Sequence, residues 1–375
     1  MKQFNIYILL FFFLCLSCSH NEATHSFDKI IYSPSYSSGF SIDSSQDSSL
    51  IKISVYNPWQ GANDVSSDLL IKRDSIIPVN FDGPILTNTA QRIVCMSSTH
   101  IALLDALDAV DKIVGVSGKQ YISNEKILSS SRFIPDIGYE GNIDYESLVS
   151  LKPDLVLLFA VNGASSLQPK LNELGIPYLY VGDYLEESPL GKAEWLIPVA
   201  EVINQREKGI EKFNEIVGRY NSLKSQVEKA DFEKPLIMLN APFNGSWFMP
   251  SSQSYVARMV TDAGGEYIYK KNTGNASLPI DLEEALVLVS KADFWLNIGA
   301  FKSLEEVKNN FPKFNSANCV KENRLYNNNL KSTPGGGNDC YESGIVNPDL
   351  ILRDLIKIFH PEFISEEFVY YRHLE

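Results

Sequence analysis

The sequence predicts an α/β protein of two lobes joined by one long α-helix, with an extra β-rich segment on the N-terminal side. Three observations predict this architecture. Apolar strand-like runs alternate with helical segments in two separate series, the first starting at Arg92 and the second after Pro235. Between the two series, residues 207–227 carry apolar side chains at steps of three and four. Before the first series, residues 27–80 contain only short strand-like runs separated by turn residues.

The composition is that of an ordinary globular protein, and it argues against two classes of function. The 375 residues are 44% hydrophobic and 21% charged, which suffices for two or three domains with a sizeable core. A net charge of −13 without basic runs argues against a nucleic-acid partner, since phosphate contacts supply most of that affinity. The apolar run at residues 6–16 is shorter than the about 20 residues that span a bilayer. We therefore do not expect a polytopic membrane protein.

The N-terminus has the pattern of an export signal. Lys2 precedes an apolar run over residues 6–14, and the run ends in Cys15-Leu16-Ser17-Cys18. A small residue directly before a cysteine resembles a bacterial lipobox, so we expect residues 1–17 to be a signal peptide and Cys18 to carry the lipid. Residues 18–26 would then be a polar tether to a membrane surface. An ordinary cleaved signal, or a start that is merely apolar, is the alternative.

The β-rich segment is assigned to residues 27–88 and the first lobe to residues 89–188. In the segment, apolar runs predict strands at 29–32, 50–55 and 69–71. In the first lobe, the pattern predicts strands at 92–96, 112–116, 154–159 and 177–181, and helices at 99–107, 145–151 and 166–174. The strand at 154–159 is apolar at successive positions, which is typical of a central parallel strand covered on both faces.

The linker is assigned to residues 189–232 and the second lobe to residues 233–375. The pattern predicts a first linker helix at 189–203, kinked or ended by Pro198, and then the long helix at 207–227. At 1.5 Å per residue the long helix is a rod of roughly 30 Å. The second lobe is predicted to contain strands at 236–239, 293–298 and 324–326, and helices at 254–263, 281–290 and 348–359.

No enzyme or metal-site motif is present in the sequence. It lacks GxGxxG after a strand, a Walker A loop, HExxH and GxSxG. Ser97 and Ser98 with His100 would be a nucleophile and base only if they pointed at each other, and no orienting acid is evident. A transition-metal site needs several converging His and carboxylate ligands, and only His100 lies near the expected site. A locally bonded histidine is the simpler interpretation, and we predict neither a metal site nor a cofactor.

The loops that follow the predicted strands are the candidate ligand site. In open α/β sheets, ligands bind beyond the carboxyl ends of the strands, and interfaces between domains are favoured positions for pockets. The side chains there are aromatic and polar with few charges, which suits a bulky, planar or partly polar ligand. The candidate residues are Ser97, Ser98, Lys119, Gln120, Tyr121, Asn162, Tyr184, Trp247, Phe248, Asn297, Asn338 and Asp339. The triple glycine at 335–337 permits either a close backbone approach or a flexible loop.

The remaining cysteines fit an exported protein. Export places Cys95, Cys319 and Cys340 in an oxidising compartment, so a Cys319–Cys340 disulfide is possible. Cys95 lies in an apolar strand, where we expect a buried inert thiol. The sequence contains no CxxC pair, which argues against a zinc ribbon or a thioredoxin-like site.

Several stretches together resemble the family of periplasmic binding proteins for iron complexes and cobalamin. They are RIVCMSSTH at 92–100 with KIVGV at 112–116, IDYESLVSLKPDLVL at 143–157, SPLGKAEW at 188–195, DAGG at 262–265 and NPDLIL at 347–352. The stretch VYNPWQGA at 55–62 is similar to lipoprotein members from Bacteroidetes-type bacteria. The resemblance runs from about residue 50 to residue 362.

The resemblance implies a monomeric solute receptor of an ABC importer with two Rossmann-like lobes, a rigid helical linker and limited closure. Its partners would be the ABC permease with its ATPase, and its ligand a ferric siderophore, haem or cobalamin. It also implies one carboxylate per lobe that docks on permease arginines, here Glu146 and either Glu284 or Glu283, with Glu284 preferred. We expect a lipid-anchored protein of the cell envelope, on the periplasmic side, without enzymatic activity. A receptor for another ligand such as a free metal ion, or an enzyme or adhesion lipoprotein on the same scaffold, is the alternative.

Overall fold

The computed structural model describes residues 27–73, 81–274 and 276–375. The predicted signal peptide, Cys18 and the tether up to residue 26 lie outside the described residues. Within the ranges that are described, no helix has both the length and the apolar character needed to cross a bilayer.

A five-stranded sheet forms the N-terminal segment. Its strands are β1 (Lys29–Tyr32), β2 (Phe40–Ser44), β3 (Leu50–Tyr56), β4 (Ser66–Lys72) and β5 (Ile85–Leu86). The strands pair in sequential order, antiparallel except for the parallel pair β4–β5. The sequence did not predict β2, because its alternation of Phe40 and Ile42 with serines and Asp43 contains too few apolar residues. Phe40 packs on Trp195 with a centroid distance of 5.1 Å, so this sheet shares the core of the first lobe.

The first lobe is built on a four-stranded parallel sheet. Its elements are β6 (Ile93–Cys95), α1 (Ser98–Ala106), β7 (Ile113–Val116), α2 (Glu125–Leu128), β8 (Gly138–Tyr139), β9 (Asn142–Ile143), α3 (Tyr145–Ser150), β10 (Leu155–Leu158), α4 (Gln168–Leu174) and β11 (Tyr178–Tyr180). The order across the sheet is β11-β10-β6-β7. Every residue of β10 is buried, which confirms the prediction of a central strand covered on both faces.

Three helices form the linker. They are α5 (Pro189–Glu194), α6 (Leu196–Val202) and α7 (Arg206–Ala230). The predicted helix at 189–203 is therefore two helices, and they are divided at Trp195. Pro198 explains the division, because a proline cannot donate to the carbonyl four residues earlier, which is that of Glu194, and its ring clashes with it. The long helix is confirmed as the 25 residues of α7, a rod of about 37 Å.

The second lobe has a five-stranded sheet in which one edge strand is antiparallel. Its elements are β12 (Leu236–Leu239), β13 (Trp247–Met249), α8 (Tyr255–Asp262), β14 (Glu266–Tyr267), β15 (Leu278–Ile280), α9 (Leu282–Lys291), β16 (Phe294–Leu296), α10 (Leu304–Asn310), α11 (Asn318–Lys321), β17 (Leu325–Asn327), α12 (Pro348–Phe359) and β18 (Arg372–His373). The order is β14-β12-β16-β17-β18, with β18 antiparallel to β17. A separate hairpin pairs β13 with β15.

The two lobes repeat the same strand order. In each sheet the first strand of the lobe (β6 or β12) lies between the second and the third. Asp154 and Asp293 occupy equivalent places at the start of the third strand. Asp154 accepts from the backbone N–H groups of Gln91 and Arg92, and Asp293 accepts from that of Leu236. Each aspartate thus ties the third strand to the beginning of the first. From the first strand, the chain adds the second strand on one side and the third on the other. The strand order therefore reverses between the first and third strands, and ligands bind at such a reversal.

Buried glutamates of the linker region hold the N-terminal segment in place. Glu194 accepts hydrogen bonds from the Tyr32 hydroxyl and from the backbone N–H groups of Ser35, Tyr36 and Ser37, at 2.6 to 2.8 Å. Glu186 accepts from the hydroxyl of Ser37 and from the indole of Trp195. Farther along, Glu201 pairs with both Arg73 and Arg206 at 2.8 Å. The segment is therefore an integral part of the fold.

Candidate functional site

A cavity of about 190 Å³ lies between the two lobes. Thr99, which follows β6, lines it from the first lobe, and Asn297, which follows β16, lines it from the second. Lys192 of α5 contributes from the linker. The cavity therefore lies at the carboxyl ends of the strands in both lobes, as the sequence predicts for a ligand site.

The lining is mostly apolar and includes a few phenol and amide groups. Tyr255, Tyr341 and Tyr371 contribute three rings, and Asn297 and Asn328 contribute two amides. Burial raises the pKa of Tyr255 and Tyr371 above the ordinary value of 10.0, whereas Tyr341 lies at the exposed side of the cavity. Tyr255 and Tyr371 are therefore neutral near pH 7 and can both donate and accept hydrogen bonds. Among the residues that the structure describes, Lys192 is the only charged side chain in this lining.

Lys192 is paired with a buried carboxylate. Its Nζ lies 3.6 Å from Asp183 Oδ2 and donates to the Asp183 carbonyl at 2.9 Å. Thr99 donates to Asp183 Oδ1 at 3.3 Å, and Lys192 Nζ lies 4.9 Å from the centre of the Tyr255 ring. Burial raises the pKa of Asp183, while the Lys192 charge acts in the opposite direction. The cluster places a positive charge at the cavity with its counter-ion behind it.

Tyr371 is held in position from two sides. Its backbone N–H donates to Asp354 of α12 at 3.0 Å, and the same carboxylate accepts from Val369 and Tyr370. Its hydroxyl donates to Asn297 Oδ1 at 3.1 Å. Asn297 adopts a left-handed backbone with a φ of 59°, a conformation that asparagine tolerates better than most residues. This arrangement orders the cavity wall formed by the second lobe.

One edge of the space between the lobes is closed by direct contact. A Cβ on Gly335 would lie 2.2 Å from the Gln120 carbonyl oxygen, and a Cβ on Gly337 would lie 2.4 Å from that of Tyr121. Nearby, Ser123 donates to Glu342 Oε2 from both its N–H and its hydroxyl at 2.8 Å. The triple glycine therefore serves a close backbone approach, one of its two predicted roles.

Apart from Trp247, the predicted cleft residues fall into five groups. Asn297 lines the cavity, and Ser97 and Ser98 lie at the start of α1, where Ser97 caps the helix by accepting from the Thr99 N–H. A third group lies at the edge that the triple glycine closes. It consists of the turn of Lys119, Gln120 and Tyr121, and the loop of Asn338 and Asp339. Asn162 and Phe248 are exposed outside the cavity, and Tyr184 lines a different cavity.

Trp247 does not face the cleft, and this corrects the sequence prediction. Its side chain is fully buried, and its indole donates to the Leu239 carbonyl at 2.8 Å. The β13–β15 hairpin turns the residue into the second lobe, where it packs on Trp295 and Phe314. The run around Trp247 looked like a loop after a strand because β13 is only three residues long.

Among the charged, amide and aromatic residues of the lining, five were not predicted: Lys192, Tyr255, Asn328, Tyr341 and Tyr371. Lys192 lies in a stretch that carries the family resemblance, and Asn328 directly follows β17, so a sequence signal existed for both. Tyr255 is the first residue of α8, Tyr341 lies in a turn, and Tyr371 lies near the C-terminus. None of the three directly follows a predicted strand, so the sequence gives no sign that they line the site.

His100 belongs to the core of the first lobe. It is fully buried in α1, with its ring edge-on to Phe159 at 6.5 Å. Burial lowers its pKa to about 3. This position contradicts a role as a general base or ligand that reaches a solute.

His100 predicts a specific loss of stability at acidic pH. The unfolded chain binds a proton near pH 6.5 but the folded protein does not until about pH 3. The contribution of the neutral His100 to the free energy of unfolding is therefore complete above pH 6.5. It falls by about 1.4 kcal/mol per pH unit as the pH drops from 6.5 towards 3. Urea unfolding of wild type and His100→Gln between pH 7 and pH 4 measures it. The variant, although less stable at pH 7, is expected to show the shallower pH dependence. Equal slopes would contradict this account.

The structure contains no Cys319–Cys340 disulfide. The thiol of Cys319 points at the Val289 carbonyl between α11 and α9, whereas Cys340 lines the cavity between the lobes. Both are free and buried, as is Cys95, for which the prediction of a buried thiol is confirmed. Across the described ranges, no three His, Cys, Asp or Glu side chains cluster closely enough to hold a metal ion.

The candidate docking carboxylates lie at equivalent helix starts. Glu146 is the second residue of α3, which Asp144 caps, and Glu283 is the second residue of α9, which Asp281 caps. Glu146 and Glu283 are exposed, whereas Glu284 is paired with Lys271 at 2.5 Å. The capped register therefore matches Glu146 with Glu283 rather than with Glu284.

The fold and the cavity define a two-lobed binding protein with its site between α/β lobes. The chain belongs to the periplasmic binding protein family, whose family model matches residues 93–328. That match covers the parallel strands of both lobes and the linker, and it confirms the recognition and the fold class that the sequence predicts.

Curated relatives include lipoproteins and a haem uptake protein. An uncharacterised lipoprotein of Methanocaldococcus jannaschii is 25% identical over 72% of this chain, and the chain spans 65% of that protein's length. The high-affinity heme uptake system protein IsdE of Staphylococcus aureus is 25% identical, over 64% of this chain and 79% of its own.

Solved structures share the fold. A periplasmic heme binding protein from Pseudomonas aeruginosa superposes with a TM-score of 0.56 at 16% identity, covering 75% of this chain and 95% of its own. An ABC-type Fe³⁺-hydroxamate transport system protein from Saccharomonospora viridis gives 0.53 at 18% identity, covering 76% and 96%.

Proposed function

We propose that this protein is the solute-binding subunit of an ABC importer and that it carries an iron complex or cobalamin. The observation that carries the proposal is the cavity at the carboxyl ends of the strands, lined from both lobes and from the linker. A solute there contacts both lobes at once, so the permease can sense its presence through the relative position of the lobes.

The polar groups of the lining suit a solute with oxygen acceptors at its rim. Neutral phenols and amides donate hydrogen bonds, and Lys192 offers one cation whose charge Asp183 partly balances. Such a set binds carboxylate, phosphate or hydroxamate oxygens without requiring a strongly anionic solute. Haem propionates, ferric hydroxamates and the cobalamin phosphate all offer these groups, and the relatives named for haem and Fe³⁺-hydroxamate add weight to this class.

The proposal includes a lipid anchor at Cys18 and a place on the periplasmic side of the cell envelope. The sequence pattern around Cys18 and the lipoprotein relative support it. An anchored receptor stays close to its permease, which raises the local concentration of the loaded form.

A thermal-shift screen of the purified protein with haemin, ferrichrome and cyanocobalamin tests the function. One class is expected to raise the unfolding temperature in a saturable way, because a ligand that binds only the folded state stabilises it. The ligand should be recovered chemically unchanged. Absence of a shift with all three, or conversion of the ligand, would contradict the proposal.

A matched pair of tyrosine variants locates the binding. Tyr255→Ala removes a ring from the cavity, and we expect at least about tenfold weaker binding, or ~1.4 kcal/mol. Tyr139→Ala removes an exposed ring from β8, outside the cavity, and should leave the affinity unchanged. Equal affinities of the two variants would place the solute elsewhere.

A further inference from the structure

A second cavity of about 610 Å³ adjoins the first. The N-terminal segment contributes residues 36–39 and the loop at residues 56–62 to its walls. The turn at residues 182–188 and Trp195 form a further part, and the second lobe contributes Arg258 with residues 276–277. Both cavities border the helices α5 and α8. Ser188 and Trp195, at the two ends of α5, line the second cavity, whereas Pro189 and Lys192 of the same helix line the first. The helix α8 presents Arg258 to the second cavity and Met259 to the first.

The sizes of the two cavities differ in a way that matters for the solute. Pockets for ligands of drug or cofactor size measure about 300–1,000 Å³. The cavity between the lobes, at about 190 Å³, is below this range, and the second, at about 610 Å³, is within it. A bulky solute therefore needs more room than the first cavity offers, and the space beside it is walled by the N-terminal segment.

The walls of the second cavity are fixed by hydrogen bonds. The backbone N–H of Gln60 donates to the Tyr184 hydroxyl at 3.1 Å, and that hydroxyl donates to the Ala160 carbonyl. This pair holds the 56–62 loop over the end of β10. At the floor, a Cβ on Gly39 would lie 2.6 Å from the Trp195 ring, so the segment packs there without a gap. The cavity is therefore formed before any solute arrives.

The lining suits the uncharged, ring-bearing part of a solute. Trp59, Tyr56 and Tyr184 supply aromatic surface, and the Asn57 and Gln60 side chains supply amides. Of the charged side chains, Arg258 is paired with Glu187 at 3.1 Å, and the Glu186 carboxylate is held by hydrogen bonds from Ser37 and Trp195. Aromatic faces with neutral amides favour planar and amide-bearing groups over bare ions.

We propose that this second cavity receives the polar, ring- or amide-bearing periphery of the solute, with residues 56–62 as a third binding element beside the two lobes. The inference rests on the proposed function, because it assigns part of the same solute to a part of the chain outside the residues that the family model matches. It also gives a role to the VYNPWQGA stretch.

Trp59 makes the proposal measurable. The chain has four tryptophans, and Trp195, Trp247 and Trp295 are fully buried. Trp59 is only partly buried and lines the second cavity. In hydroxyl-radical footprinting read by mass spectrometry, Trp59 is therefore the reactive tryptophan. Trp247 and Trp295, which are buried and line neither cavity, serve as the internal reference.

The test combines footprinting with affinity measurements, using haemin, ferrichrome and cyanocobalamin as probes. We expect the bound probe to reduce oxidation of Trp59 several-fold relative to Trp247 and Trp295. Trp59→Ala should weaken binding at least tenfold, and Trp59→Phe should restore most of it. Tyr139→Ala is the control that should change neither readout.

Three outcomes separate this inference from the proposed function. Protection of Trp59 together with the affinity loss supports the second cavity. A probe that stabilises the protein but leaves Trp59 oxidation and Trp59→Ala affinity unchanged overturns the second cavity and leaves the proposed function intact. No stabilisation by any probe overturns the proposed function, and the second cavity falls with it.

Discussion

Replacing Glu194 by alanine is expected to lower the free energy of unfolding by about 3–5 kcal/mol. The carboxylate is fully buried and accepts four hydrogen bonds from the 32–37 stretch. Its removal leaves three backbone N–H groups without an acceptor. It also weakens the attachment of the N-terminal segment to α5, so the loss is expected in the cooperative unfolding of the whole protein.

Two further variants sharpen the measurement, which is urea unfolding at pH 7. Glu194→Gln keeps the shape of the side chain but replaces one acceptor oxygen by an NH₂ donor, which then faces N–H groups. We expect this variant to lower the free energy of unfolding by about 2 kcal/mol or more. Glu173→Ala removes an exposed glutamate from an i,i+3 pair with Lys170 and should cost less than about 1 kcal/mol. A Glu194→Ala variant as stable as the Glu173→Ala control would refute the role given to Glu194.

Replacing Glu146 and Glu283 by alanine is expected to abolish solute uptake while leaving solute affinity unchanged. We propose these two as the permease-docking carboxylates, and the structure moves our preference from Glu284 to Glu283 because of the matching helix-cap register. Carboxylate contacts with arginine fix the orientation of a partner. Each single variant should reduce uptake by at least about tenfold, which corresponds to ~1.4 kcal/mol of docking energy.

Glu284→Ala is the matched control on the same helical turn. Glu284 already pairs with Lys271, so its removal should leave uptake near the wild-type rate. The comparison is made in cells that carry only the variant receptor, with affinity measured on the purified protein. Uptake lost in Glu284→Ala but retained in Glu283→Ala would restore the original preference. A loss of affinity in any of these variants would refute the docking role.

The sequence predicts the lobes well because their signals are local. The strand at β10 is apolar at every position, and the apolar positions of α7 recur at helical spacing, so burial alone identifies both. The carboxyl ends of the strands also mark where a site lies, and Thr99, Asp183 and Asn297 follow strands at the observed cavity.

The remaining features depend on contacts between distant parts of the chain. The acceptor of the Ser35, Tyr36 and Ser37 N–H groups is about 160 residues away at Glu194. Likewise, Tyr371 reaches the cavity because Asp354 captures its backbone, and no periodic pattern encodes that bond. The second cavity joins the N-terminal segment to both lobes, so its existence follows only from the assembled fold.

A crystal structure of the protein with the probe that stabilises it most tests the central claim most directly. Density for the solute is expected between the carboxyl ends of the strands, in contact with side chains from both lobes and the linker region. A solute bound to one lobe alone, or at the amino ends of the strands, would contradict the account.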